Sequence, residues 1–487
     1  MKNCPYCDNP INEHWSYCHH CNKPLIVNVK NQDHFLNRQS YNDKIDYNFQ
    51  YLYSNYETKT NRSLFDVSLN IDEHFEAKIQ EIDKTIDNYI KSGEPIGILL
   101  FEKASFYYLK KNYDLALKTL ENALNNFQAA ADVLNIAISH NEIGLIQEDL
   151  GYYENSLYHF EKSIDFLIKI SNSNKLIKVY NNIANVYYLL NDIEHSYEYY
   201  DKALKLAVKE NLITEEIKTS SNLVEILFNL EDYDKIDKIL NRNLEYFRQI
   251  GDPYGIIITL TKIGKLDYLI GPDKFNSSIK NLLEALEIVN RIKITEKFSI
   301  ENKAKLEWEC LFYLGKLNLS LNNYTEAEYY FFRSLEAIRM SEIGGNVIQE
   351  SIVLEGLGNL FESKGDFKKS IEYFKLAGEI YYKFGDDFNY AELKYKIAQI
   401  LLKFDQLESI KNFEEALDLF KDLNYIKRVA EILHKLGDIY VNRQVVELAI
   451  SYFQQAKDFF MDLKDDFNVK LINEKIHSLD DSSTNYN

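Results

Sequence analysis

The chain has 487 residues, of which 46% are hydrophobic and 14% aromatic, enough apolar material for a core and too much for a disordered or collagen-like chain. With only 6 prolines and 17 glycines, it lacks the turn formers that an all-β or α/β chain needs, so long helices joined by tight connections are expected. Lys and Arg total 56 against 75 Asp and Glu, a net charge of −19, which argues against nucleic acid as a partner except at the near-neutral first thirty residues.

The N-terminus, MKNCPYCDNP, has no apolar signal core. No stretch supplies the run of about 18 uncharged apolar residues needed to span a bilayer, so a soluble, cytoplasmic chain without membrane insertion is expected. Four of the five cysteines fall in two knuckles, Cys4-Pro5-Tyr6-Cys7 and Cys18-His19-His20-Cys21. Thiolates two residues apart converge on one ion, and the second pair completes a closed tetrahedral site. One structural Zn²⁺ held by Cys4, Cys7, Cys18 and Cys21 is therefore expected, with no open position for an activated water. A redox role would need a CxxC opening a helix in a βαβ setting, and none follows. The stretch CPYCDNPINEHWSYCHHCNKPL resembles the short zinc-ribbon family. That resemblance implies knuckles on small β-hairpins over residues 1–27, a module whose folding depends on its metal.

Residues 28–70 show no sustained periodicity and read as a flexible linker; the alternative is that this Asn- and Tyr-rich segment docks on the following array as an internal ligand. Phe75, Ile79, Ile82, Ile86 and Tyr89 then recur at helical spacing, predicting a leading helix within 71–96.

A repeat governs the next stretch. Steps of 40 from Gly144 reach Ala104, Ala184, Val224 and Gly264, and after an insertion the series resumes at Gly315, Gly358, Ala398 and Gly437. A second, mostly small series follows at Ala123, Ser163, Ala203, Asn243, Ala285, Ser334, Ala377, Ala416 and Ala456. Between them Ala116, Ser156, Ser196, Ala327, Ser370 and Ala449 each precede, by one helical turn, Leu120, Phe160, Tyr200, Phe331, Phe374 and Phe453. Small residues where two helices cross, with a large apolar residue one turn on, are the pattern of a helix pair. Polar turns such as Leu150-Gly151-Tyr152 and Gly365-Asp366-Phe367 separate helix A from helix B. Segments such as IGLIQEDLGYYENSLYHFEKSI and LGNLFESKGDFKKSIEYFKLA resemble tetratricopeptide repeats. The repeats are longer than is usual for that family and lack the closing proline, a lengthening shared with kinesin light chains, Pins-like adaptors and bacterial peptide-sensing regulators. The resemblance implies an all-α, right-handed superhelix of nine units over 97–465. An insertion falls near 288–304, and the fourth and fifth units, with Asn243 and Gly271-Pro272, should pack least regularly. Residues 466–479 read as a capping helix and 480–487 as a disordered tail.

In this family the concave wall, built from helix A, commonly holds an extended peptide. The inward positions carry Asn141 in the second unit, Lys178, Asn181, Asn182 and Asn185 in the third, Lys218, Ser221 and Asn222 in the fourth, and Lys262 and Lys265 in the fifth. Asn both donates to and accepts from a peptide backbone, so a ladder of them holds a strand without demanding one sequence. The bland alternative is that Asn is abundant here and faces water. Asn185, Asn222 and Lys262 also stand where some such arrays clamp a chaperone's terminal carboxylate, but Asn181 and Ile258 replace two lysines of that clamp. No HExxH, GxxxxGK, GxGxxG or GxSxG element is present, so no enzyme is expected, and Cys310 reads as a small buried residue. The expectation is a non-catalytic scaffold that binds other proteins through the concave face. A ligand-responsive regulator, whose array controls contacts made by the zinc module, is the alternative.

Overall fold

The computed structural model of the chain describes residues 2–3, 10–11, 75–293, 300–341 and 348–484. Near the N-terminus, β1 (Lys2–Asn3) pairs antiparallel with β2 (Pro10–Ile11). The four knuckle cysteines, their expected zinc and the 28–70 segment lie outside the described residues. Beyond Phe75 the described residues are helical, in two compact units that meet in sequence at Glu245 and Tyr246.

The first unit holds α1 (Phe75–Ser92), α2 (Gly97–Leu109), α3 (Tyr113–Ala129), α4 (Val133–Asp149), α5 (Tyr153–Lys169), α6 (Ser173–Leu189), α7 (Ile193–Lys209), α8 (Ile213–Leu230) and most of α9 (Tyr233–Ile250). The second holds α10 (Pro253–Ile270), α11 (Phe275–Arg291), α12 (Ile300–Ser320), α13 (Tyr324–Ser341), α14 (Ile348–Ser363), α15 (Phe367–Lys383), α16 (Asp387–Leu401), α17 (Gln406–Asp422), α18 (Ile426–Asn442), α19 (Val446–Asp462) and α20 (Asp466–Thr484). Neighbouring helices pair as A–B hairpins, α2 with α3, α4 with α5 and α6 with α7 in the first unit and α10 with α11 through α18 with α19 in the second, and consecutive hairpins stack within each unit; α8 and α9 are joined by bonds of Asn243. The leading α1 packs Ile82 and Ile86 against Phe106 of α2.

One small device builds the joins. Positive φ angles recur at an even interval, at Lys111, Ala131, Gly151, Ser171, Asn191, Asn211, Glu231, Gly251 and Gly271. At the first of these, the Lys111 amide bonds the Tyr108 carbonyl and the Asn112 amide the Tyr107 carbonyl, the paired hydrogen bonds of a Schellman end. The next residue is already the N-cap of the following helix: Asp132 accepts from the Asn135 amide and Asn172 from the Lys175 amide, both at 3.1 Å. One helix's C-cap and the next one's N-cap are thus fused into two residues. A chain poor in glycine and proline makes its turns this way, with left-handed Lys, Ala, Ser, Asn and Glu where glycine would be easier.

Packing between A and B follows the small-residue series. A Cβ added at Gly144 would stand 2.7 Å from the Phe160 ring, and one at Gly315 2.7 Å from the ring of Phe331. Phe160, Phe331, Phe374 and Phe453 are fully buried, each pressed on the glycine of its partner helix. Serines at the start of helix B add a bond to the same crossing: Ser196 donates to the Ala184 carbonyl at 2.8 Å, Ser278 to that of Gly264 at 2.6 Å and Ser409 to that of Ala398 at 2.7 Å.

The expected irregularities take specific forms. Asn243, where the series calls for a small residue, is buried and bonded to the facing helix: its Oδ1 accepts from Ser220 Oγ at 3.2 Å and its Nδ2 donates to Ser221 Oγ at 3.0 Å. A polar side chain is accommodated there because two serines meet it. After Gly271 a 3-10 turn, Pro272–Lys274, widens the fifth hairpin. Around the insertion, residues 294–299 are outside the described set, and α12 is 21 residues long. The last helix runs to Thr484, into the segment read from sequence as tail.

Candidate functional site

In the first unit, α4, α6 and α8 are the consecutive A helices that carry most of the expected wall residues. The structure bonds two of these residues to each other and others to neighbouring helices. Asn182 of α6 donates to Asn141 Oδ1 of α4 at 2.9 Å, and both are essentially inaccessible. Asn181, on the same helix as Asn182, donates through Nδ2 to Thr219 Oγ1 of α8 at 2.9 Å. A polar ladder therefore ties three successive A helices. Such bonds form only at one axial register of the neighbouring helices, so they fix that register as well as adding stability.

The remaining candidates separate by exposure. Asn185 is buried and accepts from the hydroxyl of Tyr200 on α7, so it serves the A–B contact. Ser221 bonds Asn243 of its own hairpin and thus faces the paired helix, which corrects its assignment to the inner wall: one residue on a helix turns the side chain by about a quarter turn. Lys178, Asn181, Lys218 and Asn222 are half-exposed, with Lys218 Nζ 4.0 Å from Glu215. Lys262 and Lys265 of α10, in the second unit, are 3% and 5% exposed. Cys310 is fully buried and within 2.8 Å of Thr261 Oγ1. Burial pushes its thiol up to about 12, with the Thr261 contact acting in the opposite direction, so it is an inert thiol at neutral pH.

One polar pair was not legible from sequence. His140 of α4 and His159 of α5 meet across the second hairpin with their Nδ1 atoms 3.0 Å apart, and Phe166 stacks on His140 at 6.0 Å between ring centroids. Burial lowers both to about 4, helped by Lys162 at His140 and by His140 at His159. At neutral pH both rings are uncharged, one Nδ1 donating to the other. Nothing in their spacing along the chain marks the pair until the hairpin closes.

Among the described residues no group of three or more His, Cys, Asp or Glu side chains is placed to hold a metal ion. No described helix is long and apolar enough to cross a membrane.

The comparisons with known proteins agree with this geometry. Tetratricopeptide-repeat family models match residues 96–169 and 177–207, and the model of the soluble NSF attachment protein, SNAP, matches residues 358–487. No curated protein sequence matches the chain. Among solved structures, the apo form of the quorum sensor NprR from B. thuringiensis is similar at a TM-score of 0.50 and 16% identity, covering 71% of this chain and 94% of that one. A STAND protein with a tetratricopeptide-repeat sensor from Pyrococcus horikoshii aligns at a TM-score of 0.43 and 14% identity, over 76% of this chain and 54% of that one. A Rap protein complexed with competence and sporulation factor aligns at 0.34 and 14% identity, over 85% and 99%. The fold likeness rests on the first of these, and the repeat assignment on the family models and the hairpin geometry. Residues 96–169 and 177–207 are thus matched as tetratricopeptide repeats, and the described residues from Phe75 onward are helical repeats of the solenoid type.

Proposed function

We propose that this protein is a non-catalytic interaction scaffold that captures a peptide or helix of another protein on the A-helix wall of its repeats. The observation that carries the reading is the polar ladder of α4, α6 and α8. Asn141, Asn182 and Thr219 set the register of the wall, and the half-exposed Lys178, Asn181, Lys218 and Asn222 lie beside them. A wall of amides and ammonium groups pairs with peptide carbonyls and amides without demanding a particular side-chain sequence. On this reading Asn141 and Asn182 support the wall from behind, while Asn185 serves the contact with Tyr200 and Lys262 belongs to the second unit.

A second reading has its own support. The fold likeness to NprR, whose structure is that of a quorum sensor, favours a regulator in which peptide binding to the array alters contacts made elsewhere in the chain. In both readings residues 1–27 form a structural module holding one Zn²⁺ through Cys4, Cys7, Cys18 and Cys21, a closed site with no catalytic position.

Affinity capture from the native cell tests the scaffold with wild type and a Lys178→Ala, Asn222→Ala double variant. These two positions are preferred because they are half-exposed and take no part in the Asn–Asn and Asn–Thr bonds. Loss of captured partners with unchanged helical circular dichroism is expected. Full retention of every partner would show that the wall is not the contact surface. Metal analysis of wild type against Cys4→Ser, Cys7→Ser tests the zinc separately, with about one ion per chain expected to be lost.

A further inference from the structure

A cavity of about 420 Å³ opens on the second and third hairpins, between the B helices α5 and α7 and over Tyr180 of α6. Its volume falls in the range of pockets that hold a side chain or small ligand, roughly 300–1,000 Å³. The wall residues of α5, Tyr158, Glu161 and Asp165, are spaced by three and four and so share one face of that helix. Among the described residues no Lys, Arg or His nitrogen lies within 4.0 Å of the Glu161 or Asp165 carboxylate. Burial and the neighbouring Asp165 hold the Glu161 carboxyl above the usual carboxylate range, with Lys162 acting in the opposite direction.

The two lysines of the cavity are already engaged. Lys202 is paired with Glu198 at 2.7 Å and lies 4.3 Å over the Tyr199 ring. Lys162 lies 5.5 Å over the ring of Tyr158. The lining thus carries two carboxylates and two ammonium groups, but Lys202 is held by Glu198 outside it, so among the described residues Glu161 and Asp165 have no ion-pair partner of their own. Tyr199 is covered on its other side by Tyr187, stacked at 5.6 Å, whereas no described cation lies over Tyr180.

We propose that this cleft is a docking pocket for an arginine side chain of a partner protein, its guanidinium resting on Tyr180 and hydrogen-bonded to Glu161 and Asp165. The group is flat, keeps its charge when partly desolvated, stacks on aromatic rings and reaches two carboxylates at once. A lysine ammonium offers neither the plane nor the fork. The pocket is lined mainly by the B helices α5 and α7, and none of its lining residues is an expected wall residue, so it does not depend on the wall's function.

Saturation-transfer NMR on the full chain at low salt, with N-acetyl-arginine amide as the probe, tests the pocket. Its neutral isostere N-acetyl-citrulline amide and inorganic phosphate are run in parallel. Saturable transfer to the arginine δ-methylene is expected, with binding at least tenfold weaker for citrulline. A Glu161→Gln, Asp165→Asn double variant should weaken arginine binding at least tenfold while keeping the wild-type circular dichroism. Equal binding of citrulline, or unchanged arginine binding by the double variant, would overturn the proposal. So would saturable phosphate binding lost in Lys162→Gln, Lys202→Gln, since the cleft would then be reading an anion.

Discussion

Replacing Gly144 by alanine probes the rule on which the array is built. The added methyl would meet three atoms of the Phe160 ring, Cε1 at 2.7 Å, Cδ1 at 2.8 Å and Cζ at 3.2 Å. That ring is fully buried in a continuous core with Leu145, Leu167 and Ile183, so it has nowhere to retreat. Overpacking of this kind costs roughly 1–3 kcal/mol. Alanine's better helix propensity returns about 1 kcal/mol, leaving a net loss of up to about 2 kcal/mol. The first hairpin shows the alternative solution, Ala104 with Leu120 at the equivalent positions, both buried. Phe160→Leu in the Gly144→Ala background should therefore recover part of the loss, giving a coupling of about 1 kcal/mol in a double-mutant cycle. Because repeat arrays sum local and nearest-neighbour stabilities, hydrogen exchange of α4 and α5 is the measurement, with urea unfolding alongside. If Gly144→Ala leaves exchange in α4 and α5 unchanged, or if the two substitutions simply add, close ring-on-glycine packing is not what sets the A–B spacing.

Other consequences are equally specific. At Ala131, φ is 52°, in the position that Gly151 holds in the next turn; Ala131→Gly should raise stability by about 0.5–1 kcal/mol in urea unfolding, and a loss would contradict the left-handed assignment. Asn243→Ala should cost only about 1 kcal/mol, because Ser220 and Ser221 keep their bonds to the Ile217 carbonyl at 3.0 and 2.8 Å. Asn243→Leu at the same buried crossing should cost roughly 2 kcal/mol more, through overpacking and loss of both serine bonds. Equal unfolding midpoints for the two variants would refute this. The His140–His159 pair predicts a pH dependence. Both folded values sit near 4, below the unfolded value of 6.5, so the unfolded chain takes up protons first on acidification. Their contribution is fully present above about pH 6.5 and is lost as the pH falls toward 4, on the order of 3 kcal/mol for each ring. A His140→Leu, His159→Phe variant should show a correspondingly flatter midpoint between pH 7 and 5, and an unchanged slope would refute the assignment.

Much of this molecule can be read along the chain because a solenoid makes its contacts locally. Gly144 and Phe160 stand at the same separation as Gly437 and Phe453 and repeat with the hairpin, so their contact leaves a period in the sequence. Asp132 and Asn172 leave one too, a capping residue after each left-handed turn, although the A–B joins alone draw attention to it less than the even spacing of all the turns. The wall was legible only in part. That Asn141, Asn181 and Asn182 belong together follows from their spacing, but whether an amide meets solvent, a neighbouring helix or a tyrosine hydroxyl depends on a rotation of a fraction of a turn. Ser221 shows how small that margin is, since its hydroxyl meets Asn243 in its own hairpin.

By itself the sequence determined the all-α class and the positions of the helix crossings, because glycine, alanine and serine fit where backbones approach and aromatic residues fill the space beside them. Tertiary structure alone decided which polar residues are spent on the fold and which remain at a surface. Asn141 and Asn182, on successive A helices, are bonded and enclosed, His140 and His159 are pressed into one uncharged pair, and Glu161, Asp165 and Tyr180 converge on a single cleft. These meetings depend on the lateral stacking of hairpins, a distance and an angle between helices that no residue encodes singly.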